Sequence, residues 1–364
     1  VTVEFLDAMC VRIAVDSLEW TREHLSRFTL PADVLDPGTD LNWTMKPLGE
    51  LAQLSASIQE NTPVDDPRHR LSAELLEFAW IQTREGGVLL DLFRGEPQST
   101  YPLEIYAAFA GAGLRNATFE RFATALSHTR GWQWTEQEPN RRLGILNAER
   151  RCGITPHAGF ATALHRTWLG GMPEPWMFER TVGYHLTHAV FHVTDWGGAP
   201  QRMPADLSDY LHAWLPSWLD TCLADEQWDL SCELLAVAAS LPVPLSGGHT
   251  GPAWRRIERA RGAGGSLCEV GAPPSDASAD TVFAGCYHST LASAFAATLT
   301  ARRLEEARPA GDGPPETERE RAPGSGRSRA RTGAARTEAG TAAPEGGRRS
   351  RTDVTAGART GGAV

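Results

Sequence analysis

The spacing of the apolar residues constrains this chain most. From Val11 to Arg303 they recur at i, i+3, i+4 and i+7, the period of a helix with one buried face. Strand-like alternation is scarce, and Pro and Gly clusters break the pattern roughly every fifteen to twenty residues. The segments that read as helices are Val11–Arg27, Lys46–Gln59, Asp66–Arg84, Pro102–Ala112, Thr118–His128, Arg141–Arg151, Phe160–Leu169, Met177–Asp195, Ala205–Ala224, Trp228–Ser240, Pro252–Arg261 and Asp280–Arg303. Start signals stand at Asp66-Pro67, at Asn116 before Thr118, and at Pro204-Ala205-Asp206. A dozen such helices on short loops predict an all-α fold of antiparallel helix pairs, closed into an α/α toroid or stacked as a short solenoid. No sequence repeat selects between the two.

Composition changes abruptly after Leu304. The segment 305–364 alternates Pro, Gly, Ala, Ser, Thr, Arg and Glu with almost no large apolar residue, so burial there cannot offset chain entropy. The expectation is one helical domain over 1–304 followed by a disordered tail, which reads as a linker, a reading-frame product of GC-rich DNA, or an interaction tail. The tail holds 11 arginines against 9 acids, so the formal charge of −10 for the whole chain becomes about −12 for the helical part. That sign, with no basic stripe, argues against nucleic acid and anionic membranes. No apolar run reaches the roughly 18 residues of a membrane span, and Glu4, Asp7 and Arg12 interrupt the N-terminus where a signal peptide would be apolar. The expected compartment is the cytoplasm. Val1 in place of Met suggests a GTG start translated literally. The six cysteines are dispersed and form no C-x-x-C pair, and they read as reduced, mostly buried thiols.

The densest polar cluster within an apolar pattern runs from Tyr184 to Asp195. On a helix Tyr184, His188, Phe191 and Asp195 fall at steps of four, three and four and share a face, with Thr187 and Thr194 flanking it. Polar groups projecting together from an apolar helix need one another, water or a ligand. They form either a core network that fixes packing or a site in which His188 is the acid/base, Asp195 or Glu233 orients it and Tyr184 donates. The pair His188 and His192 has metal-ligand spacing, but it lacks the Glu of H-E-x-x-H and an evident third ligand, so His185, His188 and His192 predict no metal.

Three further segments set polar groups in apolar helices. Lys46 and Glu50 are four apart and pair as neighbours or line a site. Asp229 and Glu233 share a face, and two close carboxylates can split into an acid and a base. Tyr287 and His288 lie in the last helix, as packing residues or as part of the same site. No G-x-S-x-G elbow, Walker loop or strand-linked G-x-G-x-x-G is present, and Asp65 and Asp66 run into Pro67 without completing a D-D-x-x-D motif. No cofactor is therefore expected.

Lys46-Pro47-Leu48-x-Glu50-Leu51, Tyr184-x-Leu186-Thr187-His188-x-Val190-Phe191-x-x-Thr194-Asp195-x-Gly197, Trp228-Asp229-Leu230-x-x-Glu233-Leu234-Leu235 and Tyr287-His288-x-Thr290 resemble, in this order, the motifs of an actinobacterial family of unknown function. That family's pattern carries Tyr where this chain has His192. The resemblance implies a place beside biosynthetic genes for peptide and polyketide natural products, and a tailoring or cyclising role such as closing an aziridine. With it the expectation is an enzyme of specialised metabolism in which His188, Asp195, Tyr184 and Glu233 act on a small substrate, free or carrier-bound, held by Lys46, Glu50, Thr187, Asp229, Tyr287 and His288. The alternatives are a non-catalytic binding or carrier-docking protein and a structural partner subunit.

Overall fold

The computed structural model describes residues 2–308 apart from Pro37, Asn42, Pro274 and Ser275, and the described residues fall in one compact unit. The expected tail lies, beyond residue 308, outside the described residues. Among those residues there are fourteen α-helices, five 3-10 turns and no strand. The helices are α1 (Val3–Glu23), α2 (Met45–Glu60), α3 (Pro67–Gln82), α4 (Gly87–Gly95), α5 (Tyr101–Gly111), α6 (Ala117–Ser127), α7 (Arg130–Trp134), α8 (Pro139–Arg151), α9 (Phe160–His165), α10 (Arg180–Thr194), α11 (Ala205–Ala224), α12 (Trp228–Ser240), α13 (Gly247–Ala260) and α14 (Ala279–Glu306).

The all-helical expectation holds, and the departures from it are local. α1 begins at Val3 rather than near Val11 because the Thr2 hydroxyl accepts the Phe5 amide at 3.3 Å and caps the helix there. α4 occupies a stretch that its preceding Gly86-Gly87 marked as a break. Gly86 does turn the chain, at φ +81°, but Val88, Leu89, Leu90 and Phe93 behind it are buried and hold a helix. α10 starts at Arg180 because Pro175–Met177 form a 3-10 turn instead. α14 continues to Glu306 and takes Glu305 and Glu306 out of the expected tail.

Sequence neighbours pack as pairs, among them α2 with α3, α4 with α5, and α11 with α12. α1 also packs along α14, which brings the two ends of the array together. α14 is the common element, touching α1, α2 and α12, and α12 in turn touches α10. Every residue of α12 is buried, Asp229 and Glu233 included. A helix buried all round normally carries apolar residues alone, so those two carboxylates are anomalous on α12.

Candidate active site

Four helices meet where the polar anomalies lie. Gly183 lets α10 sit close on α12: a Cβ there would stand 2.7 Å from Leu230 Cδ2, so a side chain at this position would force Leu230 to move. One turn on, Tyr184 and Thr187 face the carboxylates of α12. The Tyr184 hydroxyl donates to Asp229 Oδ2 at 2.7 Å, and the Thr187 hydroxyl donates to Glu233 Oε2. From the other side α14 brings His288, whose Nε2 lies 3.4 Å from Glu233 Oε1 and 3.6 Å from Asp229 Oδ1. Its Nδ1 lies 3.2 Å from Glu50 Oε2 on α2. Tyr287, next to His288, lies close enough to Glu50 for that carboxylate to help hold its hydroxyl protonated, and Lys46 Nζ stands 3.9 Å from Glu50 Oε1.

His288 is thus the hub of three carboxylates, and their fields set its protonation. Burial alone would lower its pKa, but the charges of Asp229 and Glu50 and the close contacts with Glu233 and Glu50 raise it well above the usual imidazole range. Burial pushes the Asp229 carboxyl up to about 6, with the His288 charge opposing and the Glu233 charge reinforcing the shift. Glu233 is pushed up by burial too, but hydrogen bonds and charge from His188 and His288 outweigh it and hold the carboxyl below its ordinary value. Glu50 is held low in the same way by His288. Even so the group is under-compensated. Glu50 Oε2, Asp229 Oδ1 and His288 Nδ1 are buried atoms with no well-aligned hydrogen bond.

These residues form the floor of a cleft of about 600 Å³. Glu50, Glu233 and His288 reach its surface, while Asp229, Thr187 and Tyr184 lie behind them. Lys46 and His188 are the open members, with side chains 59% and 44% exposed, and His188 Nε2 stands 3.8 Å from Glu233 Oε1. One wall is aromatic, from Phe191, Trp196 and Phe295. A second wall, from α5 and α8, carries Glu104, Arg141 and Arg151, with Arg141 Nη1 2.9 Å from Glu104 and Arg151 Nη2 3.3 Å from Glu60. Apolar walls with a few converging polar groups are the usual make-up of a small-molecule site.

Nine of the ten residues singled out in the sequence gather here: His188, Tyr184, Glu233, Lys46, Glu50, Thr187, Asp229, Tyr287 and His288. Asp195 does not join them. It caps α10 in a left-handed conformation (φ 53°), its Oδ2 3.2 Å from Arg202 and its Oδ1 3.8 Å from Arg151. The carboxylate beside His188 is Glu233. The helical stripe placed Asp195 on the right face, but the chain leaves the helix there and turns the side chain to the arginines. His192 lines the cleft, yet burial lowers its pKa to about 3, with the charges of His188 and Arg141 adding to the effect. Sequence reasoning missed Glu104, Arg141 and Arg151, which read as ordinary helix charge until α8 is placed beside α2 and α10.

The family model described as Domain of unknown function (DUF6895) matches residues 14–298, a span that contains all four motif segments. No curated protein and no solved structure matches the chain.

Proposed function

We propose that this chain, which belongs to the DUF6895 family of domains of unknown function, is an enzyme acting on a small molecule bound in the cleft. The observation that carries this reading is convergence: Glu50, His188, Glu233 and His288, from segments spread over most of the chain, meet on one concave floor. His188 is the catalytic residue, because it alone of the group is widely open to the cleft. Glu233 sets its ring orientation, and Thr187 and Tyr184 fix the two carboxylates behind it. The resemblance found in the sequence supplies the reaction class: a tailoring step of specialised metabolism, closing a strained nitrogen ring by internal displacement. His188 takes the proton from a substrate amine, the nitrogen lone pair attacks a carbon of the same molecule, and the leaving group departs with its electron pair. Much of the rate comes from holding nitrogen and carbon together between the aromatic and the arginine-bearing walls. The substrate is free or carrier-bound.

The test is mass spectrometry of small molecules released from purified full-length wild type and His188→Ala, followed by incubation of the identified ligand with each. A ligand retained and converted by wild type, and not converted by the variant, is the expected result. Equal conversion by both, or a ligand held by wild type that is never converted, would overturn the enzymatic reading.

A second reading, that of a partner subunit, draws on Met172, Trp176, Met177 and Trp214, which are exposed. Bonds from Tyr210 to the Pro173 carbonyl (2.6 Å) and from Trp218 to the Pro175 carbonyl (2.9 Å) tie that segment to α11, so these side chains share one neighbourhood.

A further inference from the structure

The geometry points to a divalent metal site at the floor of the cleft, formed by Asp229 Oδ1, Glu233 Oε1 and His288 Nε2. This deepens the reading of the cleft as a catalytic centre and rests on it. It also revises the expectation, drawn from the histidines of α10, that no metal is held.

Three independent features support it. The three donor atoms lie within 4.8 Å of one another, with His288 Nε2 3.4 Å and 3.6 Å from the two oxygens. Donors bound about 2.1 Å from a common ion stand roughly 3.0–3.4 Å apart, so the two distances from His288 need shifts of only a few tenths of an ångström, and the two carboxylates, within 4.8 Å of each other, close on the ion by rotation of their side chains. Second, Asp229 Oδ1 belongs to a residue only 1% exposed and has no hydrogen-bond partner, although it faces the other two donors. A buried carboxylate oxygen without a donor is costly, and a cation removes that cost. Third, the far side of each ligand is held: Tyr184 on Asp229 Oδ2, Thr187 on Glu233 Oε2, and Glu50 beside His288 Nδ1. A metal-bound imidazole usually has a carboxylate at its other nitrogen, and carboxylate ligands usually have such supports.

Charge agrees with geometry. Glu50, Asp229 and Glu233 with one imidazolium carry two negative charges into the core, whereas a divalent ion on a neutral His288 leaves one. Two oxygens and an imidazole suit manganese(II), iron(II) or zinc(II) better than a soft ion. Glu233 and His288 open onto the cleft, so the ion would present its free positions to the substrate, where a departing oxygen anion could be received. His188 stays outside the cage as the proton acceptor.

The test uses full-length protein stripped with a chelator, into which Mn²⁺ and, separately, Zn²⁺ are titrated calorimetrically. Co²⁺ absorption serves as a probe of ligand type. One equivalent is expected to bind, with affinity at least tenfold weaker in Asp229→Asn and in His288→Gln, and unchanged within about threefold in His165→Ala, an exposed histidine of α9 outside the cleft. Circular dichroism selects the variants that fold, and if neither does, a wild-type Co²⁺ spectrum of mixed imidazole and oxygen ligation decides the matter. No binding by wild type, binding that neither folded variant weakens, or a spectrum of water-like octahedral cobalt would overturn the site. Absence of metal together with His188-dependent turnover would sink this inference and leave the enzymatic reading standing.

Discussion

The protein buries two glutamate–histidine clusters, and they are built on opposite terms. In the first, Glu149 on α8 is wholly buried and both of its oxygens are satisfied: Oε1 accepts Trp132 Nε1 at 2.8 Å and His157 Nδ1 at 2.8 Å, and Oε2 accepts the His157 amide at 3.2 Å. Arg142 donates to His157 Nε2 and closes the set. In the second, Glu50, Asp229 and Glu233 crowd one imidazole, and three buried atoms go unsatisfied beside a cleft. The same residue types thus serve a strut in one place and a site in the other. Satisfaction, and access to a cavity, separate the two.

That contrast can be broken by mutation. The largest effect is expected at the strut: Glu149→Ala leaves the Trp132 and His157 donors without an acceptor and should cost about 3–5 kcal/mol in urea unfolding. A loss below about 1 kcal/mol would show that the cluster carries little of the fold. Next comes Gly183→Leu, which should cost about 1–3 kcal/mol by overpacking and push α10 off α12. Ligand retention should fall with it, and a variant that keeps full ligand binding would mean that the close approach does not position the site. His192 gives a pH-dependent effect. Its folded pKa of about 3 lies below the ordinary imidazole value of 6.5, so the unfolded chain binds more protons between those values. Stability should therefore fall as pH drops from about 6.5 toward 3, and His192→Gln should flatten that slope in acid titrations followed by fluorescence. Asp229→Asn in chelator-stripped protein should be neutral or stabilising by up to about 1 kcal/mol, since it removes one of three crowded carboxylates. A loss of several kcal/mol there would make the second cluster a strut as well. Asp195→Asn should change least, under about 1 kcal/mol for a partly exposed ion pair, with turnover untouched.

Much of this was legible in the sequence. The helical period carried the fold, and α12 runs over Trp228–Ser240 as its apolar pattern predicts. The polar intrusions in apolar helices, Asp229 and Glu233 foremost, marked the floor because burial of such groups demands a partner. The hierarchy was not legible. His188 stood out through its helical stripe, whereas His288, the hub, looked like an isolated residue because its three carboxylates come from α2 and α12. Asp195 misled because periodicity says nothing about where a helix stops and the chain turns left-handed. Glu149 and His157 gave no signal, being eight residues apart across a turn. The arginine-bearing wall was invisible for a related reason: charges on α8 acquire meaning only from the helices packed beside them.

The pairing of α1 with α14 has a consequence for synthesis. A ribosome delivers the chain from its N-terminus, and the helix that supplies His288 and covers α1, α2 and α12 emerges last of the fourteen. Between the release of Ser240 and that of Glu306 lie several seconds at ordinary elongation rates of about 5–20 residues per second. Through that interval the apolar faces of three helices await their cover, and the carboxylates of α12 have no imidazole to face. The nascent protein therefore passes through a stage at which most of its helices exist and its centre does not, the stage at which chaperone binding or aggregation competes with folding.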